Sequence, residues 1–263
     1  MLRVITANLN GIRSASGKGF FDWLGTQRAS VVGVQEVKAQ HDQVDEVFCS
    51  AGSLKGHFHY AVKKGYSGVG IYTRATPSEI ITGIGNQEFD GEGRYVEARY
   101  DTEERKLSII SCYFPSGSSG EERQAAKFRF LALVYPRLVA LQQEREFILM
   151  GDINIAHKEI DLKNWRSNQK NSGFTPVERA WMTRFIDEAG MVDVYRRLHP
   201  DTTGDCYTWW SNRGQAYANN VGWRLDYQLA TPGLAATAKR ASIYKDEKFS
   251  DHAPLTIDYE ISL

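Results

Sequence analysis

The sequence predicts a layered α/β fold with mixed β-sheets, and three observations carry that expectation. Short runs rich in Val, Ile, Tyr and Phe recur along the chain, as strands require. Stretches with helical apolar spacing lie between several of them. Other runs follow one another closely, as hairpins do, so parallel crossovers and antiparallel pairs are both expected. With 263 residues, 42% of them hydrophobic and 24% charged, the chain can bury a large core and does not have the composition of a disordered protein. No linker, low-complexity tract or charge block interrupts it, so one domain over 1–263 is expected.

Strands are expected at 2–7, 30–35, 67–73, 94–100, 106–113, 146–151, 224–230 and 254–260. Residues 19–28 read as an amphipathic helix through Phe20, Phe21, Trp23 and Leu24. The longest helical candidate is 120–144, with Phe128, Leu131, Leu138 and Leu141 on apolar spacing. Pro136 is expected to start, kink or split a helix there, because it removes a hydrogen bond. Thr175-Pro176-Val177-Glu178 combines a cap, a proline suited to the first helical position and a glutamate that can close a capping box. That helix should pass Trp181, Phe185 and Ile186 and stop near Gly190. Asn8-Leu9-Asn10 is similar to Asp152-Ile153-Asn154, which reads either as two similar halves facing each other or as coincidence.

Lys plus Arg and Asp plus Glu both number 32, so net charge is zero. Any nucleic-acid partner would therefore meet a local basic face, not an overall positive charge. The three cysteines, Cys49, Cys112 and Cys206, are scattered and form no CxxC pair, which argues against a disulfide framework or a zinc site and for a reduced cytosolic setting. No signal-peptide pattern opens the chain, and no apolar run approaches the roughly 20 residues needed to span a bilayer.

The chemistry is expected at four strand ends. Asn8 and Asn10 follow the first strand, Glu36 the second and Asp152 and Asn154 the strand at 146–151, while Asp251-His252 precedes the last. Strand ends are rigid mounts, and this set suits a hard, oxygen-liganded metal beside an acid–base pair, hence phosphoester hydrolysis. Glu36 is the leading ligand, since a bare carboxylate after an apolar strand is costly to bury without a partner. Asn10 and Asp251 can complete its oxygen shell, and Asp152 and Asn154 are counted with them. His252 is the natural acid–base or charge-stabilising group. Asp226 is a better orienting partner for it than adjacent Asp251, which on a strand would point the other way. Asp152 would position or deprotonate water, Asn154 would donate to a phosphate oxygen, and Tyr113 would add a phenolic donor.

Seven ordered motifs carry a resemblance: Asn8-x-Asn10-Gly11-Ile12-Arg13, Gln35-Glu36, Tyr113-x-Pro115-x-Gly117, Gly151-Asp152-x-Asn154, Ala156-His157-x-x-Ile160-Asp161, Gly222-Trp223-Arg224-x-Asp226-Tyr227 and Ser250-Asp251-His252. The chain resembles the exonuclease III family of AP (apurinic/apyrimidinic) endonucleases, within the endonuclease/exonuclease/phosphatase superfamily, from Leu2 to about Tyr259. The resemblance implies a DNase I-like, four-layered α/β sandwich of two packed mixed sheets flanked by helices. It also implies Mg²⁺, with Mn²⁺ as substitute, and hydrolysis 5′ to abasic sites in duplex DNA, with 3′→5′ exonuclease and 3′-end repair. The setting it implies is a bacterial-type cytoplasmic, nucleoid-associated monomer with no membrane partner. By position, Glu36 would be the principal metal ligand, Asn8 would support Asp152, and Asn154 would touch the scissile phosphate. Tyr113 would be the active-site tyrosine, and His252, oriented by Asp226, would stabilise the transition state.

For DNA, the resemblance carries over Arg13, Lys18, Tyr66 and Arg94 to the phosphate backbone, and Asn168 and Asn171 within a basic segment, 163–170. It assigns Trp209, Trp223 and Leu225 to a pocket for the flipped abasic sugar. Trp210 is expected in the core, because neighbours on a strand face opposite ways. The chain departs from some relatives in the small residues Ser116-Gly117-Ser118-Ser119, where those relatives carry Asn and Arg that enter DNA, and in Asn10, where some carry Asp. Two rival readings are a phosphoesterase acting on a non-DNA ester and a non-catalytic relative of the fold. The intact set of acids and His252 argues against the second.

Overall fold

The central strands are buried on both faces, and for that reason they read as continuous apolar runs instead of alternating ones. The computed structural model describes residues 1–44 and 47–263. Its strands, in chain order, are β1 (Leu2–Asn8), β2 (Val31–Gln35), β3 (Ser50–Ala51), β4 (Leu54–His59), β5 (Val69–Thr73), β6 (Glu79–Thr82), β7 (Tyr95–Asp101), β8 (Lys106–Tyr113), β9 (Glu146–Asp152), β10 (Val192–Asp193), β11 (Trp209–Trp210), β12 (Gly222–Trp223), β13 (Asp226–Ala230), β14 (Ala238–Ile243) and β15 (Leu255–Tyr259).

Among the described residues they form a seven-stranded sheet, β14-β15-β1-β2-β5-β4-β3, a six-stranded sheet, β10-β13-β9-β8-β7-β6, and the small pair β11-β12. Both large sheets are mixed: β1 runs parallel to β2 and β8 parallel to β9, and the other pairs are antiparallel. Three cores separate four layers. Val4, Val31, Ile71, Ile109, Ile148, Met150 and Ile257 pack between the sheets. Ile110, Phe147 and Leu149 pack against Phe130, Val134 and Leu138 of the helix Glu121–Glu144. Ile5, Val32 and Val34 pack against Ile12, Phe20 and Trp23 of the helices Ile12–Gly17 and Phe20–Thr26. The protein is therefore the expected four-layered α/β sandwich.

The cap at Thr175 forms, with Glu178 closing the box and Pro176 in the first turn. That helix, Pro176–Thr183, passes into a π-helical turn, Arg184–Glu188, and ends before Gly190 at φ 72°. Trp210 is buried at 1% exposure. Of the outcomes expected at Pro136, a helix start and a split do not occur: the helix Glu121–Glu144 runs through it. Pro136 and Ala132 are solvent-exposed, so water can meet the Ala132 carbonyl, while Val134, Leu138 and Leu141 hold the opposite face in the core.

The two halves also need realignment. The order β15-β1-β2-β5 repeats as β7-β8-β9-β13, each with a central parallel pair joined through helices and antiparallel flanks. Chain direction pairs β1 with β8 and β2 with β9. The similar segments Asn8–Asn10 and Asp152–Asn154 therefore end non-equivalent strands, and their likeness is one of local turns.

Candidate active site

Parallel strands end together, so β1 and β2 deliver Asn8 and Glu36 to the same end of one sheet, and β8 and β9 deliver Tyr113 and Asp152 to the end of the other. Just past these strands the backbone enters the left-handed region at Asn10 (φ 45°), Glu36 (φ 50°), Lys38 (φ 50°) and Asn154 (φ 56°). Non-glycine residues hold that conformation where their surroundings enforce it. At two of the four, side chains do so: Asn8 Oδ1 accepts the Asn10 N–H at 3.0 Å, and Asp152 Oδ1 accepts the Asn154 N–H at 2.9 Å.

At the site an asparagine amide bridges the two sheets. Asn8 Nδ2 donates to Glu36 Oε1 and to Asp152 Oδ2, both at 2.9 Å. Asn154 Nδ2 donates to the Phe114 carbonyl at 2.9 Å and reaches Asp152 Oδ2 at 3.3 Å. His252 Nδ1 lies 2.8 Å from Asp226 Oδ2, and its Nε2 faces Asp152 Oδ2 at 3.7 Å. Asp226 sits opposite Asp152 in the β13–β9 register. Ser250 Oγ fixes the approach of the His252 loop by donating to the Asn8 carbonyl at 2.6 Å.

Burial sets the electrostatics. It pushes the Asp152 carboxyl up, to about 7; His252 opposes this, and the charges of Asp226 and Glu36 add to it. Burial alone would lower His252, but Asp226 and Asp152 overcome it and hold the imidazole protonated, up to about 10. Burial also works against the Glu36 anion, yet the Lys38 ammonium and the Asn8 amide keep Glu36 below the usual carboxylate range. Desolvation, with Glu36 facing it, holds the Tyr113 phenol protonated.

Glu36, Asp152 and His252 offer ligand atoms within 4.8 Å of one another. The oxygen donors fit a hard cation, and a cation already stands among them. Lys38 Nζ bridges Glu36 Oε2 at 2.7 Å and Asn10 Oδ1 at 2.5 Å, and so stands in for one. Asn10 Nδ2 donates to Asp251 Oδ1 at 2.9 Å, and Trp209 Nε1 to Asp251 Oδ2 at 3.2 Å. Asp251 thus joins the group through Asn10 and stands outside the 4.8 Å cluster.

Trp209 and Trp223 pair across β11–β12, edge to face at 6.2 Å, over a small apolar cluster that includes Leu162, Phe174 and Leu225. Trp209 also approaches His252, with ring centroids 6.5 Å apart. Arg13 and Lys18 are exposed, Tyr66 is half-buried, and Lys163, Arg166 and Lys170 are exposed beside Asn168 and Asn171. Those two asparagines are engaged within their own turn: Asn168 Nδ2 donates to the Asn164 carbonyl at 2.7 Å and Asn171 Nδ2 to Asn168 Oδ1 at 2.8 Å.

Arg94 is a correction. It is 2% exposed, with its guanidinium spent on Glu92, the Tyr113 carbonyl and the Tyr66 hydroxyl. It props the two tyrosines. Leu225, 6% exposed, forms the floor of the aromatic cluster and not an open wall.

The sequence reading missed Lys38 and Lys127. Lys38 carried no periodic signal. Lys127 did: it shares the apolar stripe of Phe130, Leu131, Val134 and Leu138, and it is fully buried.

The model of the Endonuclease/Exonuclease/phosphatase family matches residues 5–252. An exodeoxyribonuclease of Bacillus subtilis is 37% identical over 257 residues, covering 97% of this chain and 98% of its own. A DNA-(apurinic or apyrimidinic site) endonuclease of Dictyostelium discoideum is 33% identical over 264 residues, 99% of this chain and 71% of its own. The structure of an AP endonuclease from Archaeoglobus fulgidus superposes with a TM-score of 0.87 at 26% identity, covering 99% of this chain and all of the other. Matches of this extent, on strand ends that already converge in space, make the chain a member of the Endonuclease/Exonuclease/phosphatase family, in its exonuclease III branch.

Proposed function

We propose that the protein is a Mg²⁺-dependent repair nuclease, a single-domain monomer that cleaves the phosphodiester 5′ to abasic sites in duplex DNA. Exonucleolytic 3′→5′ cleavage and 3′-end repair would use the same centre. The observation that carries this reading is Asp152 held between Asn8, Asn154 and the Asp226-tethered His252. The names of the relatives, an exodeoxyribonuclease and an AP-site endonuclease, support it from outside.

Asp152, raised to about 7, is matched to accepting a proton from water near neutrality. The Tyr113 hydroxyl would donate to a phosphate oxygen, and Asn154 Nδ2 would do so by exchanging its long 3.3 Å contact with Asp152 for one. The His252 imidazolium, kept in orientation by Asp226, answers charge that grows on phosphorus-bound oxygen. Glu36 and Asn10, with Asp251 behind them, would hold Mg²⁺, which when bound supplies Lewis-acid charge to the phosphate. The Trp209–Trp223 face beside His252 suits a sugar with no base attached, and extruding such a nucleotide costs little stacking. Exposed Arg13, Lys18, Lys163, Arg166 and Lys170 supply local positive charge that the neutral chain as a whole does not have. Among the described residues no helix is long and apolar enough to cross a membrane, and a cytoplasmic, nucleoid-associated setting belongs to this proposal.

The test uses a duplex with one central tetrahydrofuran abasic mimic and Mg²⁺ at a few millimolar, with EDTA and an undamaged duplex as controls. Incision at the mimic that EDTA abolishes is expected. Intact mimic and intact duplex with both Mg²⁺ and Mn²⁺ would overturn the reading.

A further inference from the structure

Behind the site lies a buried ion pair that the chemistry above does not use. Lys127, in the helix Glu121–Glu144, is fully enclosed, and its Nζ donates to the Asn154 carbonyl at 2.7 Å and to Glu178 Oε1 at 2.6 Å. Glu178 is equally buried. Its Oε2 accepts the N–H groups of Gly173 and Thr175 at 2.8 and 2.9 Å and the Thr175 hydroxyl at 2.7 Å, while Oε1 takes Gln124 at 3.0 Å and Ser172 at 3.3 Å.

An ammonium out of water is costly, and keeping one demands partners that satisfy it. A methionine or leucine would fill the same stripe without that cost. What the ammonium adds is a fixed donor on a carbonyl in a left-handed turn. The Asn154 peptide decides where Asn154 Nδ2 points, and that amide reaches Asp152. Gly173 borders the same carbonyl: a side chain there would begin 3.1 Å from Asn154 O and 3.3 Å from the Trp223 ring. The pair therefore ties the Asn154 turn, the loop that follows the basic segment and the underside of Trp223 to one helix.

We propose that Lys127 and Glu178 are positioning residues of the active site, fixing the Asn154 carbonyl and, through it, the placement of the Asn154 side chain. The inference rests on the nuclease reading. Neither residue touches substrate; both act through Asn154.

The experiment is a double-mutant cycle on the full chain with the tetrahydrofuran duplex. Lys127→Met should lower kcat about 10- to 100-fold, as small misplacements of reacting groups do. KM for the duplex and the Mg²⁺ concentration for half-maximal rate should stay within about threefold. In an Asn154→Ala background the same change should have little further effect, because the group it positions is gone. A role in stability alone would leave the Lys127 effect undiminished in that background, and that result overturns the proposal, as does a folded Lys127→Met with parental kcat. If Lys127→Met does not fold, Glu178→Gln, nearly isosteric, carries the same cycle. An inactive parent chain defeats the nuclease reading itself, whereas an active parent with an additive cycle defeats only this inference.

Discussion

Asp152 receives hydrogen bonds from Asn8 and from the Asn154 main chain while facing the His252 ring, so an amide in its place keeps the shape and loses the base. Asp152→Asn should cut incision by at least about 10²-fold, the lower range for losing a general base, and leave duplex binding, read by fluorescence anisotropy in EDTA, within a few-fold. A variant that still cleaves at the parental rate would remove Asp152 from the proposed water-activating role. At this scale the sequence was legible where a motif combined a strand end with a rare polar residue. Asn8, Glu36, Asp152, Asp226 and His252 do converge. It was not legible where a charge hid in a helix: Lys127 looks like any surface lysine until its stripe is traced. Arg94 failed in the opposite sense, since an arginine before a strand gives no sign that Glu92 and two tyrosines consume it.

Elements on both sides of the sandwich were readable in proportion to their burial. The two-sided strands β1, β2, β8, β9, β13 and β15 stood out as apolar runs. The sheet-edge strands β6 and β14 did not, because an edge carries exposed residues such as Glu79, Lys239 and Arg240 that interrupt the pattern. The helix Pro176–Thr183 makes a pH-sensitive contact. Thr183 Oγ1 lies 2.8 Å from His157 Nε2, and burial, with Lys158 adding, pushes that imidazole from 6.5 down to about 4. Because the folded value lies below the unfolded one, the contribution is intact above pH 6.5. It is lost as pH falls from there to about 4, where the unfolded chain takes up a proton and the folded chain does not. The loss reaches roughly 2 kcal/mol at pH 5. Urea midpoints at pH 7.5 and pH 5 should therefore converge more closely in His157→Gln than in the parent. An equal drop in both proteins would sink the idea.

For the whole molecule, the contact between the two sheets is the quantity to perturb. Gly33 in β2 faces Met150 in β9, and an added methyl would sit 2.6 Å from Met150 Cε and 2.9 Å from its Sδ. Gly33→Ala should cost about 1 kcal/mol, the low end for overpacking a filled core because the flexible Met150 thioether can shift, visible as a lower urea midpoint, and it should lower activity by more than the unfolded fraction explains. Parental activity per folded molecule would show that the sheets can move apart without disturbing the site. The pairing of these sheets, unlike their existence, was beyond the sequence reading. Which strand lies opposite which depends on side chains meeting across a layer, as Gln35 Nε2 meets Ser111 Oγ at 3.0 Å, and no periodicity along one strand records its partner.

The Asn8 side chain has a consequence of its own. Its single NH₂ group spans two sheets whose backbone ladders are separate, touching Glu36 on one and Asp152 on the other. It works as a vernier: a slip of the layers by a fraction of a residue breaks one contact or the other while both ladders remain whole. On gradual heating, catalytic competence would therefore vanish before circular dichroism registered any loss of strand.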